Sequence, residues 1–211
     1  RYFLPAVAVA AVGFFAFQQS NTGTLEKYVE QHLFSSGGQS GLTGAPGENN
    51  CTQCHQGSVM NGDQENGFSV RDAALQTVTS YIPGQQYTVS VQLNSAPDKK
   101  GFSATALDDT DAMAGSFTGS SLGGTQDFSA GGRDYVSHTS TSNTSASTFW
   151  AWTWDAPATD VGDVTFYVAS NVTNNDGSTN GDVIYLSEQH YSLQQVSMKT
   201  NLKRLLMLDM M

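Results

Sequence analysis

Gln86-Tyr87-Thr88-Val89-Ser90-Val91-Gln92-Leu93 is the stretch that decides the fold class. Tyr87, Val89, Val91 and Leu93 alternate with smaller or polar residues. That period of two places every large apolar side chain on one face of an extended strand. Further strand candidates are residues 102–107, 135–139, 148–154, 164–169 and 183–193. Within 148–154, Trp150, Trp152 and Trp154 share one face by alternation, so that face is expected to line the core. Turn signals separate the candidates: Pro83-Gly84, Lys100-Gly101, Gly123-Gly124, Gly131-Gly132, Ala156-Pro157 and the polar run 174–181. Short strands punctuated in this way predict an all-β protein, a β-sandwich of immunoglobulin type.

Composition agrees. The 211 residues are 38% hydrophobic and only 13% charged, with 21 Gly. Such a balance disfavours helices and suits strands and turns. Three Trp, eight Tyr and eleven Phe supply a core and argue against disorder. A net charge of −10 repels nucleic acid and anionic lipid, so nucleic-acid binding is excluded as a function class. The same charge serves solubility or attracts a basic partner.

The ends differ from the middle. Residues 1–20 open with Arg1 and continue as an apolar run, Tyr2 to Phe17, which reads as an export signal or a retained membrane anchor. The run is short for a full span, and no small-x-small cleavage site closes it. Residues 21–66 are expected to hold a short amphipathic helix at 24–34, a Gly/Ser/Asn-rich connector and a cysteine motif. The sandwich is expected over 67–196. In the tail, 197–211, Lys199, Lys203 and Arg204 precede an apolar stretch that suits a membrane surface, a partner or a frayed end.

The motif that carries chemistry is Cys51-Thr52-Gln53-Cys54-His55. Two thiols separated by two residues reach the two vinyl groups of one haem, and the following imidazole stands beneath the iron. This is the c-type haem attachment spacing. It assigns Cys51, Cys54 and His55 as cofactor-binding residues, His55 as an iron ligand and one covalent haem c as the cofactor. Attachment of this kind is made outside the cytoplasm, which matches the apolar N-terminus. A thioredoxin-like pair would stand between a strand and a helix start, whereas the flanks here read as loop. A zinc site would need further ligands.

For the sixth iron position the sequence offers His32, His138, His190, Met60 and Met113. Met60 follows His55 too closely to reach the opposite haem face easily. Met113 and His190 read as core and solvated strand residues. His32 sits off the apolar stripe of its helix. His138, at a strand end, ranks first as the second metal ligand through the resemblance described below. The run 174–182 carries oxygen ligands that suit calcium but lacks the closing Glu of a helix-loop-helix site, so a plain hairpin loop is the simpler reading.

Several blocks in order then become familiar: Gly44-Ala45-Pro46-Gly47-Glu48 before the cysteine motif, Pro83-Gly84-Gln85-Gln86-Tyr87-Thr88-Val89, Gly101-Phe102-Ser103-Ala104-Thr105-Ala106-Leu107, Tyr135-Val136-Ser137-His138-Thr139, Trp152-Thr153-Trp154-Asp155-Ala156-Pro157 and Gly162-Asp163-Val164-Thr165-Phe166-Tyr167. Together, over about residues 41–193, they resemble the Reeler-like β-sandwich of exported bacterial proteins called choice-of-anchor V. That resemblance implies a sandwich packed against an upstream haem segment, and it carries His138 over as a distal ligand.

Two functions follow as expectations. The first is a mono-haem cytochrome moving electrons outside the cytoplasm. Its partner would be a redox protein or a membrane complex, reached from the periplasmic side, a membrane anchor or the cell surface. The second is an exported structural or adhesive module in which haem is a covalent staple. A haem enzyme or gas sensor, with an open sixth position, comes third.

Overall fold

The computed structural model describes residues 36–194, and these form a two-sheet sandwich. The strands are β1 (Gln56–Asn61), β2 (Asn66–Arg71), β3 (Thr77–Val78), β4 (Ser80–Tyr81), β5 (Gln86–Leu93), β6 (Lys100–Asp108), β7 (Ser116–Thr118), β8 (Thr125–Ala130), β9 (Arg133–His138), β10 (Phe149–Asp155), β11 (Val164–Val172) and β12 (Asn180–Leu193). One sheet runs β1-β12-β11-β6-β9-β8, with β4 added alongside β12; the other runs β3-β2-β5-β10-β7. The apolar run, the expected helix at 24–34 with His32, and the tail lie outside the described residues. Among those described, no helix is long and apolar enough to cross a membrane.

The alternation read in the sequence is the alternation observed. Tyr87, Val89, Val91 and Leu93 of β5 are buried, as are Trp150, Trp152 and Trp154 of β10. The second sheet sends Phe102, Ala104, Ala106, Phe166 and Val168 to meet them. Phe102 lies 4.7 Å from Trp150, and Phe166 meets Trp154 edge-on at 4.9 Å. Each aromatic of this size contributes about 1.5–3 kcal/mol by leaving water, so the tryptophan strand is the mechanical centre of the fold.

The structure corrects the reading around the motif. Gln56-Gly57-Ser58 belong to strand β1, which pairs in parallel with β12 at the sheet edge. The strand escapes notice because most of its residues are exposed, so no apolar alternation marks it. The connector is also less featureless than its composition suggests. Glu48 holds it down: Oε1 accepts from Arg133 Nη1 at 2.7 Å and from Tyr135 Oη at 2.8 Å, while Oε2 accepts from Thr43 Oγ1 at 2.6 Å and Thr43 N at 3.1 Å. These contacts lower the Glu48 pKa although burial alone would raise it. Ala45, within the same connector, is buried.

Candidate functional site

The cysteine motif forms one turn of 3-10 helix, Cys51–Gln53, capped by Asn50, whose side chain accepts from Thr52 N. No disulfide joins the two cysteines; Cys51 is half-buried and Cys54 exposed. Burial pushes the Cys51 thiol up to about 12, which keeps it neutral. A dithiol built for redox exchange has the opposite tuning, a thiolate stabilised near neutral pH. The turn leads into the edge strand β1 rather than into an α-helix, so the thioredoxin-like arrangement is absent here. No cluster of three or more Cys, His, Asp and Glu among the described residues is placed to hold a metal ion by itself. Haem makes no such demand, because its four nitrogens already hold the iron and the protein adds only axial ligands.

His55 follows the turn and is delivered to β12. Its Nδ1 lies 2.5 Å from Asp182 Oδ2. Asn171, from β11, brings Nδ2 to 3.0 Å from the same ring nitrogen and 3.4 Å from the same carboxylate oxygen. A carboxylate only accepts, so a hydrogen bond from His55 to Asp182 requires the proton on Nδ1, and the Asn171 amide then donates to Asp182 Oδ2 rather than to the ring. The other carboxylate oxygen takes the backbone N–H of Asn174 at 3.3 Å. The Asp182 side chain is 1% exposed and that of His55 29%. The approach depends on Gly57: a Cβ there would come within 1.9 Å of the Asp182 carbonyl oxygen. A side chain at that position would therefore push β1 off β12.

His138 stands at the end of β9. Its ladder pairing with β6 stops at Ser137–Ser103, and beyond that point the ring takes over from the backbone. Nδ1 lies 3.1 Å from Phe102 N and 3.2 Å from Phe102 O. The ring fills the side-chain space of Gly101, where a Cβ would meet Cε1 at 2.6 Å. Burial lowers the His138 pKa, favouring the neutral imidazole. Gly101 pairs directly with Asn171 across the β6–β11 ladder. Phe102, its neighbour in β6, points into the core, so Gly101 and Asn171 face outward. The two sequence-selected histidines thus attach to adjoining strand positions, His55 through Asn171 and His138 through Gly101.

The other candidates lie elsewhere. Met60 is on β1 and 51% exposed. Met113 Sδ accepts from Asp134 N at 3.3 Å and packs against the core. His190 Nδ1 lies 2.9 Å from Thr165 Oγ1 on the exposed face of β12. Residues 173–179 form the β11–β12 hairpin loop, and 180–182 open strand β12. The loop's polar side chains bond within it, as Asn174 Nδ2 does to Asp176 Oδ2 at 3.2 Å.

A family model described as the Reeler domain matches residues 49–176. The chain belongs to the Reeler family. The matched stretch of this Reeler domain includes the cysteine motif, His55, His138 and Asn171, and stops short of Asp182. The likeness to solved structures is weaker. The human F-spondin reeler domain is 22% identical with a TM-score of 0.48, over 66% of this chain and 96% of that one. The Reelin-N domain of F-spondin is 23% identical with a TM-score of 0.47, over 66% and 94%. A cohesin module from a Clostridium perfringens family 33 glycoside hydrolase is 12% identical, TM-score 0.42, over 62% and 98%. A search of curated proteins finds no match.

Two residues central to this site escape sequence reasoning. Asp182 reads as the last residue of a polar loop and Asn171 as a strand position. Nothing local links either to a histidine more than a hundred positions earlier. The acid following a Gly-rich hairpin loop was the available signal, but it reads equally well as a calcium ligand.

Proposed function

We propose that this Reeler domain is an exported structural or adhesive β-sandwich module that carries one haem c at its β1 edge, bonded to Cys51 and Cys54. The observation that carries the reading is the His55 Nδ1–Asp182 contact at 2.5 Å. It ties up one imidazole nitrogen on a buried acid and leaves Nε2 for the iron, the arrangement in which metal-ligating histidines are held. Two thiols on the preceding turn, separated by two residues and not joined in a disulfide, are spaced for thioether formation. Family membership favours a module over an enzyme. Export follows from the N-terminal apolar run and from the compartment in which haem c is attached. The choice-of-anchor V group is the bacterial setting that best combines these features.

Bound haem would supply a one-electron ferric–ferrous couple. The chain's own residues would do the rest. Cys51 and Cys54 would hold the group covalently, His55 would ligate it and Asp182 would hold His55. His138 would be the second ligand. Its Nδ1 is engaged by Phe102, its ring is neutral, and its strand position adjoins that of Asn171.

Electron transfer is the second reading. The exposure of Cys54 and part of His55 favours it, since electrons pass most readily from a surface-proximal group. Its partner would be a redox protein or a membrane complex, with membrane association through residues 2–17 and the tail. A redox titration separates the two. Rapid reversible exchange with a soluble donor supports the carrier, and a low-spin haem inert to donors supports the staple. Under either reading, His138→Ala converts a six-coordinate low-spin spectrum to high-spin; an unchanged spectrum removes His138 from the site.

A further inference from the structure

We propose that Asp182, braced by Asn171, is the positioning residue of this site. It locks His55 in the Nδ1–H tautomer and presents the Nε2 lone pair outward as a metal ligand. The inference deepens the haem reading and rests on it for the identity of the metal.

Four observations converge on Asp182. The carboxylate is almost wholly buried and pairs with His55. Both oxygens are occupied, Oδ2 by His55 and Asn171, Oδ1 by the Asn174 amide, so the side chain cannot swing away without losing several bonds. Gly57 allows β1 to pass within contact of the Asp182 backbone, which fixes the distance from which His55 reaches in. Finally, the second face of Asn171 is unspent: its Oδ1 is buried with no partner. Leaving a buried carbonyl unpaired costs stability. The amide nevertheless turns Nδ2 toward Asp182 Oδ2 and leaves its own oxygen unpaired. A site serving packing alone would gain by replacing Asn171 with an apolar residue.

An isolated neutral imidazole prefers its proton on Nε2. The buried acid reverses that preference, because only Nδ1–H can donate to it. Nε2 is then left as the basic nitrogen, and the negative partner behind the ring makes it a stronger donor to a metal.

The test uses the full chain in two forms. In the haem-free chain, long-range nitrogen–proton NMR on the neutral ring reads the His55 tautomer directly. The Nδ1–H form is expected in wild type and the Nε2–H form in Asp182→Asn; an Nε2–H wild type overturns the proposal. In the haem-loaded chain, Asp182→Asn is expected to raise the reduction potential by about 59 mV, a tenfold shift of the one-electron equilibrium. Asp182→Glu should recover part of that shift. A potential unmoved by Asp182→Asn, with the fold intact, also overturns it. Should no haem be found at Cys51 and Cys54, the cofactor reading fails, while the tautomer measurement still decides for or against the Asp182 lock.

Discussion

Glu48→Ala is the substitution that asks whether the connector ahead of the motif belongs to the cooperative fold. The Glu48 side chain is 4% exposed and its carboxylate accepts from Arg133, Tyr135 and twice from Thr43. Breaking a buried ion pair by removing one partner costs about 3–5 kcal/mol. The lower end applies here, because Arg133 is 19% exposed and keeps the carbonyls of Pro46 at 3.1 Å and Asp111 at 3.2 Å. The expected loss is therefore about 3 kcal/mol. With a urea slope of about 2 kcal/mol per molar, the unfolding midpoint falls by about 1.5 M. Glu48→Gln keeps the shape and some of the bonds and should lose about half as much. Equilibrium urea unfolding followed by tryptophan fluorescence measures both, since Trp150, Trp152 and Trp154 sit in the core. A Glu48→Ala midpoint within 0.3 M of wild type, a drift of about 0.6 kcal/mol on that slope, refutes the reasoning. It would mean that residues 41–50 are not held by this carboxylate.

Other expectations follow from the same geometry. Because the folded Glu48 pKa lies below its ordinary value of 4.5, its stabilisation is present above pH 4.5 and is lost as pH falls through the lowered value. Unfolding midpoints measured from pH 7 to pH 3 should fall in that window for wild type and less steeply for Glu48→Gln. Gly57→Ala puts a methyl group on the Asp182 carbonyl and should cost more than about 2 kcal/mol, with loss of the His55–Asp182 signal by NMR. Trp154→Phe forfeits the hydrogen bond from Nε1 to Ala114 O at 2.9 Å, whereas Trp152 Nε1 is buried without a partner. Thermal unfolding should find Trp154→Phe more destabilising than Trp152→Phe by about 1–2 kcal/mol.

How much of this was legible depends on burial and on range. β5 and β10 declare themselves because one face of each is in the core, so side-chain polarity alternates with the pleat. β1 is exposed along most of its length and shows no such pattern, although it carries the motif into the sheet. β3, β4 and β7 are two or three residues long, too short for any period to register. His55 could be singled out because spacing to two cysteines is local information. Asp182 and Asn171 could not, because the pairing of β1 with β12 and of β12 with β11 brings them together only in the folded sheet. His138 was chosen by resemblance, and its proximity to the Asn171 position emerges from the β6–β11 register.

The connector shows the same limit from another side. Its composition of Gly, Ser and Asn reads as slack chain awaiting a cofactor to order it. Glu48, alone among those residues in carrying charge, finds Arg133 and Tyr135 on β9 and pins the loop through its side chain. Charge placement within a polar stretch thus carried information that composition concealed.

The central claim is a covalent bond, and intact-mass spectrometry of the full chain measures it. The chain should be produced by an exporting host with haem-attachment machinery, and the protein denatured before injection. The account predicts a species heavier by one haem, whose haem stays with the Cys51–His55 peptide after proteolysis. A native mass with two alkylatable thiols at Cys51 and Cys54 would contradict it.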